Sequence, residues 1–403
     1  MLGPAIGASV DSARAQQIHR NAESQMSSSF EKPEADTLKL FLCGDVMTGR
    51  GIDQILPLRS SPEIFESYLT SAEQYIEIAE LVSGPIPHPV DYDYVWGDAL
   101  AILKAAVPDV RIVNLETAIT TSNENWLHKH INYRMHPGNL PVLSVAGIDC
   151  CVLANNHVLD WGYAGLEETL SSLLQAGIKT AGAGQDYRHA VRPAVLDVGE
   201  NHRVIVLSMG STSSGIGRAW AAGERQPGVW LLDDFSMASV ETIGNQVEAV
   251  KQHGDIVVAS IHWGGNWGYR IPEQARQFAH ALVDHANVDL VHGHSSHHPR
   301  GIEVYKNKLI LYGCGDFIND YEGIRGHEKY RDDLRLMYLP EIDAASGELT
   351  DMTMAVLQTH RFRLRNASTM DAKWLTGELD RESRRLGGTR VEFEHGVLQV
   401  LWE

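Results

Sequence analysis

The chain is poor in three features that assign many proteins at sight: cysteine, long apolar runs and positive charge. Four cysteines occur in 403 residues, Cys43, Cys150, Cys151 and Cys314. They are too few for a disulfide framework, and each sits in an apolar run that reads as a buried strand, where a reduced structural thiol is expected. No stretch approaches the roughly 20 uninterrupted apolar residues that a membrane span needs. The first apolar patch, residues 1–10, contains Gly and Pro and has no basic cluster before it, which argues against a secretory signal. A cytoplasmic location, with no membrane segment in this chain, is therefore expected. Lys and Arg number 34 against 52 Asp and Glu, and 34 − 52 gives a formal charge of −18. That balance disfavours nucleic acid as a partner, because its binders present a basic face, and it disfavours an anionic membrane surface for the same reason.

What is present is apolar bulk and histidine. Hydrophobic residues make up 43% of the chain, enough for one large catalytic domain or two ordinary ones. Nineteen histidines are a clear excess of the side chain most often recruited to metals and proton transfer.

Residues 1–37 are rich in Gln, Ser, Ala and Glu, with one weakly helical stretch near 13–24, and read as a flexible arm. From Leu38 short β-type runs alternate with helical spacing, the pattern of a layered α/β domain. Strands are expected at 38–43, 111–114, 150–154, 204–208, 256–261, 290–292, 302–305 and 309–313. Helices are expected at 62–81, 165–176, 235–252 and 272–285. The Gly- and Trp-rich segments 211–229 and 263–270 read as loops over a site. Beyond residue 320 the pattern changes to polar–apolar alternation (334–341 and 349–357), a helix near 372–386 and a last strand near 391–402. The division read from this is an arm (1–37), a catalytic domain (38–320) and a β-rich C-terminal extension packed on it (321–403).

Ligands collect at the carboxyl ends of strands in α/β sheets, where loops converge over a rigid base. Five expected strand ends finish in metal-competent residues: Gly44-Asp45, Asn114-Leu115-Glu116, Asn155-Asn156-His157 with Asp160, His262, and His292-Gly293-His294 running on to His297 and His298. Each alone has a plain structural reading, as a helix cap, a turn or a hydrogen-bonded core histidine. Together the carboxylates, amide oxygen and imidazoles form a mixed N/O set suited to Mn²⁺, Zn²⁺ or Fe rather than to Ca²⁺ or Mg²⁺.

The strings GDVMTGR (44–50), NLET (114–117), LANNHVLDWGYAGLEETL (153–170), AGAGQDYRHAVRP (181–193), HWG (262–264) and HGHSSHHPRGIEVYKNKLILYGCGDFIND (292–320) resemble the poly-γ-glutamate synthesis (CapA) family, a branch of the calcineurin-like metallophosphoesterase superfamily. The resemblance covers roughly 38–320 in order. It implies a layered α-β-β-α sandwich holding one or two divalent transition metals. It also implies roles: Asp45 as first carboxylate ligand, Glu116 as bridging carboxylate, Asn156 as amide ligand, His157 as general acid, and His262, His294 and His297 as the remaining ligands. Two positions depart from the superfamily pattern. Met47 stands where a ligating His is usual, and a thioether suits a hard hydrolytic metal poorly. The closing pair is spread as His-Ser-Ser-His, so His297 and His298 compete, with His297 preferred.

Around this set, Arg50 has a guanidinium fork suited to bidentate capture of a phosphate or carboxylate, or else pairs with a structural acid. Asn155 joins Arg50 as a candidate substrate contact. Asp160 either orients His157 through its second ring nitrogen or caps the following helix. His280 and His285 read as structural, and His292 as a support for the ligands. His128, His130 and His136, in a Trp-bearing loop with Arg134, either reach substrate or are simply exposed. The expected activity is hydrolysis of a phosphoester or related anionic substrate by metal-activated water. The alternatives are a polyglutamate synthesis or export component, or an enzyme of the γ-glutamyl amide bond. The expected partner is a small or polyanionic substrate, phosphoester or polyglutamate.

Overall fold

The computed structural model describes residues 36–403, so the arm and its weak helix near 13–24 lie outside the described residues. The elements that matter here are, in chain order, β1 (Thr37–Val46), α1 (Glu73–Ser83), α2 (Ala99–Ala106), β2 (Val110–Leu115), β3 (Cys150–Val152), α3 (Gly162–Gln175), β4 (Lys179–Ala181), β5 (Ala194–Val198), β6 (His202–Ser211), α4 (Met237–Glu248), β7 (Asp255–His262), α5 (Glu273–His285), β8 (Leu290–His294), β9 (Ile302–Tyr305), β10 (Lys308–Leu311) and β11 (Asp316–Ile318). The C-terminal part contributes β12 (Leu334–Asp343), β13 (Leu349–His360), β14 (Arg363–Asn366), α6 (Thr369–Gly387), β15 (Arg390–Glu394) and β16 (Val397–Leu401).

Among the described residues, two large mixed sheets organise the chain. The first runs β15-β16-β13-β12-β1-β2-β3-β4, with β11 also on β1 and β14 on β13. The second runs from the short strand Leu231–Leu232 through β6-β7-β8-β10-β9, with β5 on β6. Strands β1 to β4 are mutually parallel, as are β6, β7, β8 and β10. Their carboxyl ends therefore collect at one edge of each sheet.

Packing follows from strand alternation. In β1, Leu38, Leu40 and Leu42 join a buried cluster that also contains Val204, Val206, Ile256, Val258 and Leu290 of the second sheet. Phe41 and Cys43 point the other way, into a cluster with Ile76, Leu103 and Leu166 of α1, α2 and α3. The far face of the second sheet buries Ile205, Leu207 and Val257 against Val240, Ile243, Phe278 and Leu282 of α4 and α5. A strand apolar on both faces, such as β1, is buried on both. All four cysteines are free and buried in these runs. No helix of the described residues is long and apolar enough to cross a membrane.

Two expectations need correction. In place of the expected helix over 62–81, helix covers only Glu73–Ser83. Residues 62–72 instead form a tight loop closed by a Glu63–Ser71 bridge, with Gln74 Oε1 accepting from the N–H groups of Thr70 (3.0 Å) and Ser71 (3.1 Å). The single last strand is in fact the hairpin β15–β16, turned at His395 (φ 48°) and Gly396 (φ 89°). Two successive positive φ angles give the turn whose twist matches paired strands. Strands β12 and β13 extend the first sheet directly from β1.

Candidate metal centre

Two Gly-Asp steps build the centre. Asp45 at the end of β1 is in register with Asn114 of β2 on one side and with Asp316 of β11 on the other. A Cβ on Gly44 would fall 1.6 Å from the carbonyl oxygen of Gly315, and Gly315 itself has φ +78°. Only glycine allows that approach, and the approach sets the two aspartates side by side. On the second sheet His262 and His294 end β7 and β8 on the same rung. His292 ties the sheets together: its Nε2 lies 2.8 Å from the Cys43 carbonyl oxygen and its Nδ1 3.0 Å from Ser260 Oγ.

Asn114 Nδ2 donates to Asp45 Oδ1 (2.8 Å) and to Glu116 Oε2 (2.9 Å), clamping the two carboxylates. Glu116 Oε1 faces His262 Nε2 at 3.8 Å and His157 Nε2 at 3.9 Å. His262 Nε2 also lies 3.0 Å from Asn156 Oδ1, and its Nδ1 2.7 Å from His294 Nδ1. His297 Nδ1 sits 2.8 Å from Asp316 Oδ1, while Asn319 Nδ2 donates to Asp316 Oδ2 at 2.7 Å. Two sets of potential ligand atoms, each within 4.8 Å of one another, result: Asp45, His262 and His294, and Asp45, His297 and Asp316. Asp45 is common to both. Glu116, to which the resemblance gives the bridging position, stands beside it.

The electrostatics fit a cation. Burial and the neighbouring Asp316 push Asp45 up to about 7, against the opposing pull of His297 and Asn114. Burial, then Asp45 and Asp316, raise Glu116 well above the carboxylate range. Asp45 Oδ2 is buried with no hydrogen-bond partner, and a buried carboxylate oxygen in that position calls for a proton or a cation. Burial holds His262 and His294 well below the usual histidine value, reinforced by His157, His297 and Lys129 at the first and by His262 and His292 at the second, so both keep lone pairs. Burial also opposes charge on His297, but Asp316 and Asp45 outweigh it and raise its value. The residues fit a divalent transition metal: nitrogen and carboxylate donors, no thiolate, one orphaned oxygen at the shared vertex.

The wall opposite the carboxylates carries His157. Its Nδ1 lies 2.7 Å from Asp160 Oδ2, which also accepts from Tyr133 N at 2.7 Å. Burial lowers His157 to about 4, with Asp160 opposing and Lys129 reinforcing the shift. The helix after Asp160 has no side-chain cap, so Asp160 orients the imidazole. A cavity of about 190 Å³ opens between His157, Glu116, Asn156, His297, Lys129 and Tyr321, among others.

Sequence reasoning placed Asp45, Glu116, Asn156, His157, Asp160, His262, His294 and His297 here, and the structure brings them together. It does not bring Arg50 and Asn155 into the cavity. Arg50 is 3% exposed, with Nε and Nη2 on Asp320 (3.1 and 2.5 Å) and Nη1 on Glu66 (2.8 Å) and Tyr75 (2.7 Å). Its fork is taken by a structural acid. Asn155 is fully buried and spent: Nδ2 donates to Asn114 Oδ1 and the Leu115 carbonyl, and Oδ1 accepts from the N–H groups of His157 and Val158. It shapes the loop that presents Asn156 and His157. His298 uses Nε2 to accept from Gly268 N and holds Nδ1 3.0 Å from the Pro299 carbonyl, leaving His297 as the member of the ligand set. Met47 is buried, and its N–H donates to Ile318 O. Missed were Asp316 and Lys129, and the role of Asn114 as a clamp on the two carboxylates. The repeat of Gly-Asp at 315–316 was the available signal for Asp316.

Comparison with known proteins places the chain in a family. The profile of the bacterial capsule synthesis protein PGA_cap matches residues 39–321. The chain is 48% identical over 367 residues, 91% of its own length and 96% of the relative's, to a probable polyglutamine synthesis accessory protein of Mycobacterium tuberculosis. The chain belongs to the PGA_cap family. Its similarity to the PGA biosynthesis protein CapA of Bacillus subtilis is 25% identity over 75% of this chain and 68% of that one. For the capsule biosynthesis protein CapA of Bacillus anthracis the figures are 24%, 71% and 61%. The PGA_cap match spans β1 to β11, and so every residue of the candidate centre; the resemblance to the CapA family is borne out.

Proposed function

We propose that the protein is a metal-dependent hydrolase of the CapA family, acting on a phosphoester or related anionic substrate in the His157 cavity. The reading includes an α-β-β-α scaffold of the metallophosphoesterase type, supported by one core cluster shared between the sheets and two helix-covered clusters outside them. A cytoplasmic location is part of the same reading. The observation that carries it is Asp45, shared by two ligand sets and left with a buried, unpartnered oxygen.

Asp45, His262 and His294 would hold one ion, and Asp45, His297 and Asp316 a second. Asp316 supplies the donor that Met47 does not. Manganese, zinc or iron, when bound, supplies a Lewis acid that polarises the substrate and acidifies water. The protein's own contribution is proton handling. Asp160 Oδ2 can only accept, so the Nδ1 proton belongs to His157, and Nε2 turns its lone pair toward Glu116 and the cavity. His157 therefore takes a proton at Nε2 before it can return one to the leaving oxygen, the general-acid role expected of it. Asn156 and Glu116 orient the group on which this exchange occurs.

The test is metal analysis of the purified protein with a panel of phosphomonoesters, phosphodiesters and γ-glutamyl peptides. We expect bound transition metal, and turnover of one class that falls about 10²–10⁴-fold in His157→Asn with metal content intact. No metal, or unaltered turnover in that variant, overturns the reading. A second reading has its own support, the names of the relatives: an accessory component that binds polyglutamate in the same cavity without cleaving it. Metal-dependent binding without turnover of any panel member would select it.

A further inference from the structure

The cavity is rich in donors and poor in countercharge. Lys129, Asn156, Asn266, Ser295 and Tyr321 bring N–H or O–H groups to its lining, and Lys129 is the one Lys or Arg among the described lining residues. The segment carrying Lys129 is pinned by the residue that holds His157. The Asp160 carbonyl accepts from Trp126 N (2.7 Å) and from Asn132 Nδ2 (3.2 Å), and the Asp160 carboxylate accepts from Tyr133 N (2.7 Å). Trp126 packs edge-on against Trp220 and Tyr163, at 5.5 and 5.6 Å between centroids. Lys129 Nζ is thus delivered to the His157 wall at 3.4 Å from His157 Nδ1, 3.4 Å from Asp160 Oδ1 and 3.3 Å from the Ile131 carbonyl. Both distances to oxygen are long for a charged donor, whose bonds run about 2.7–2.9 Å, and the protonated Nδ1 of His157 is a neighbour that cannot accept. An ammonium held on a fixed loop between two loose oxygen contacts can still close on a strong acceptor.

We propose that Lys129 is the specificity-determining residue of this cavity, capturing a compact oxyanion, a phosphate or carboxylate group of the substrate, beside His157. It takes the anion-binding part that Arg50, locked to Asp320 and Glu66, cannot play. The assignment rests on the cavity being the reactive site proposed above, but it makes a separate claim. Lys129 grips the anion and leaves the ligand set of Asp45 untouched. Asp160 then serves two groups at once, the imidazole through Oδ2 and the Lys129 loop through its backbone carbonyl, so anion and proton acceptor are held in one frame.

The experiment uses the full chain loaded with metal and titrates two probes, inorganic phosphate and γ-glutamylglutamate, by calorimetry and by total tryptophan fluorescence. The wild type should bind at least one probe. Lys129→Met should weaken that binding roughly ten- to a hundredfold, the worth of one charge-assisted contact, with metal content and circular dichroism unchanged. Lys129→Arg should restore most of it. The preferred probe names the source of the oxyanion. Binding of neither probe by the wild type, or equal binding by Lys129→Met, overturns the proposal. Should metal-dependent turnover persist in that case, the hydrolase reading survives alone; should Lys129-dependent binding occur without turnover, the reverse holds.

Discussion

Two buried acidic clusters lie within a few residues of each other at the end of β1, and they are finished differently. Around Arg50, every carboxylate oxygen has a donor. Asp320 takes Arg50 through both oxygens and also the Gly51 N–H, and Glu66 takes Arg50 on one oxygen and the Tyr75 hydroxyl on the other. Arg50 in turn lies 3.8 Å over the Tyr75 ring and 4.4 Å over Tyr133. Around Asp45, three carboxylates converge with only one imidazole raised toward its charged form, and an oxygen of Asp45 has no donor. Buried charge is tolerated when its hydrogen bonds are complete. The first cluster brings its own cation and holds structure; the second leaves a buried oxygen without a donor, the observation on which the proposed metal centre rests.

The largest expected effect comes from making the first cluster resemble the second. Arg50→Met strands Asp320 and Glu66 in the interior and should cost about 3–5 kcal/mol in chemical denaturation, with metal stoichiometry unchanged in whatever protein remains folded. The reverse change acts on the second cluster. Asp45→Asn should abolish metal binding and yet stabilise the metal-free protein at pH 8, by an amount on the order of 2 kcal/mol. The sign follows from Asp45 being raised to about 7 from an ordinary 3.8. The folded state holds a proton there that the unfolded chain has released, so the metal-free wild type loses stability as pH climbs from about 4 through 7. At pH 4 the variant and the wild type should melt together, and melting curves in chelator across that range check both claims. A variant less stable than wild type at pH 8 would break the contrast between the clusters. The smallest effect is expected for Tyr75→Phe, which removes one donor from Glu66 and should cost about 1 kcal/mol without altering metal content.

The site was more legible than the frame around it. Asp45, Asn156, His157, His262 and His294 follow apolar strand runs, and a polar residue at such a boundary stands out. Asp316 did not, because β11 is three residues long, too short to show a period, and its place beside Asp45 depends on pairing across some 270 positions. Arg50 stays open in the sequence between an anion and a structural acid for a related reason: its partners Glu66 and Asp320 lie in segments whose approach no local pattern reveals. Glu66 also falls where helical spacing pointed to a helix, and the chain there is a loop that delivers its carboxylate to Arg50. Lys129 sits among exposed residues of an irregular segment, and nothing in its neighbours marks the bond to Asp160.

Strand β12 lies directly against β1, and that adjacency sets a schedule for biosynthesis. The strand carrying Asp45 ends at residue 46, while the strand that covers its second edge begins at residue 334. At about 5–20 residues per second, a ribosome takes roughly 15–60 s to deliver the missing partner. For that interval an apolar strand waits with unpaired backbone groups, the condition under which chains find the wrong neighbour. Yield in cells should therefore respond to chaperone supply and to codon choice between β1 and β12 more than to changes at the centre itself.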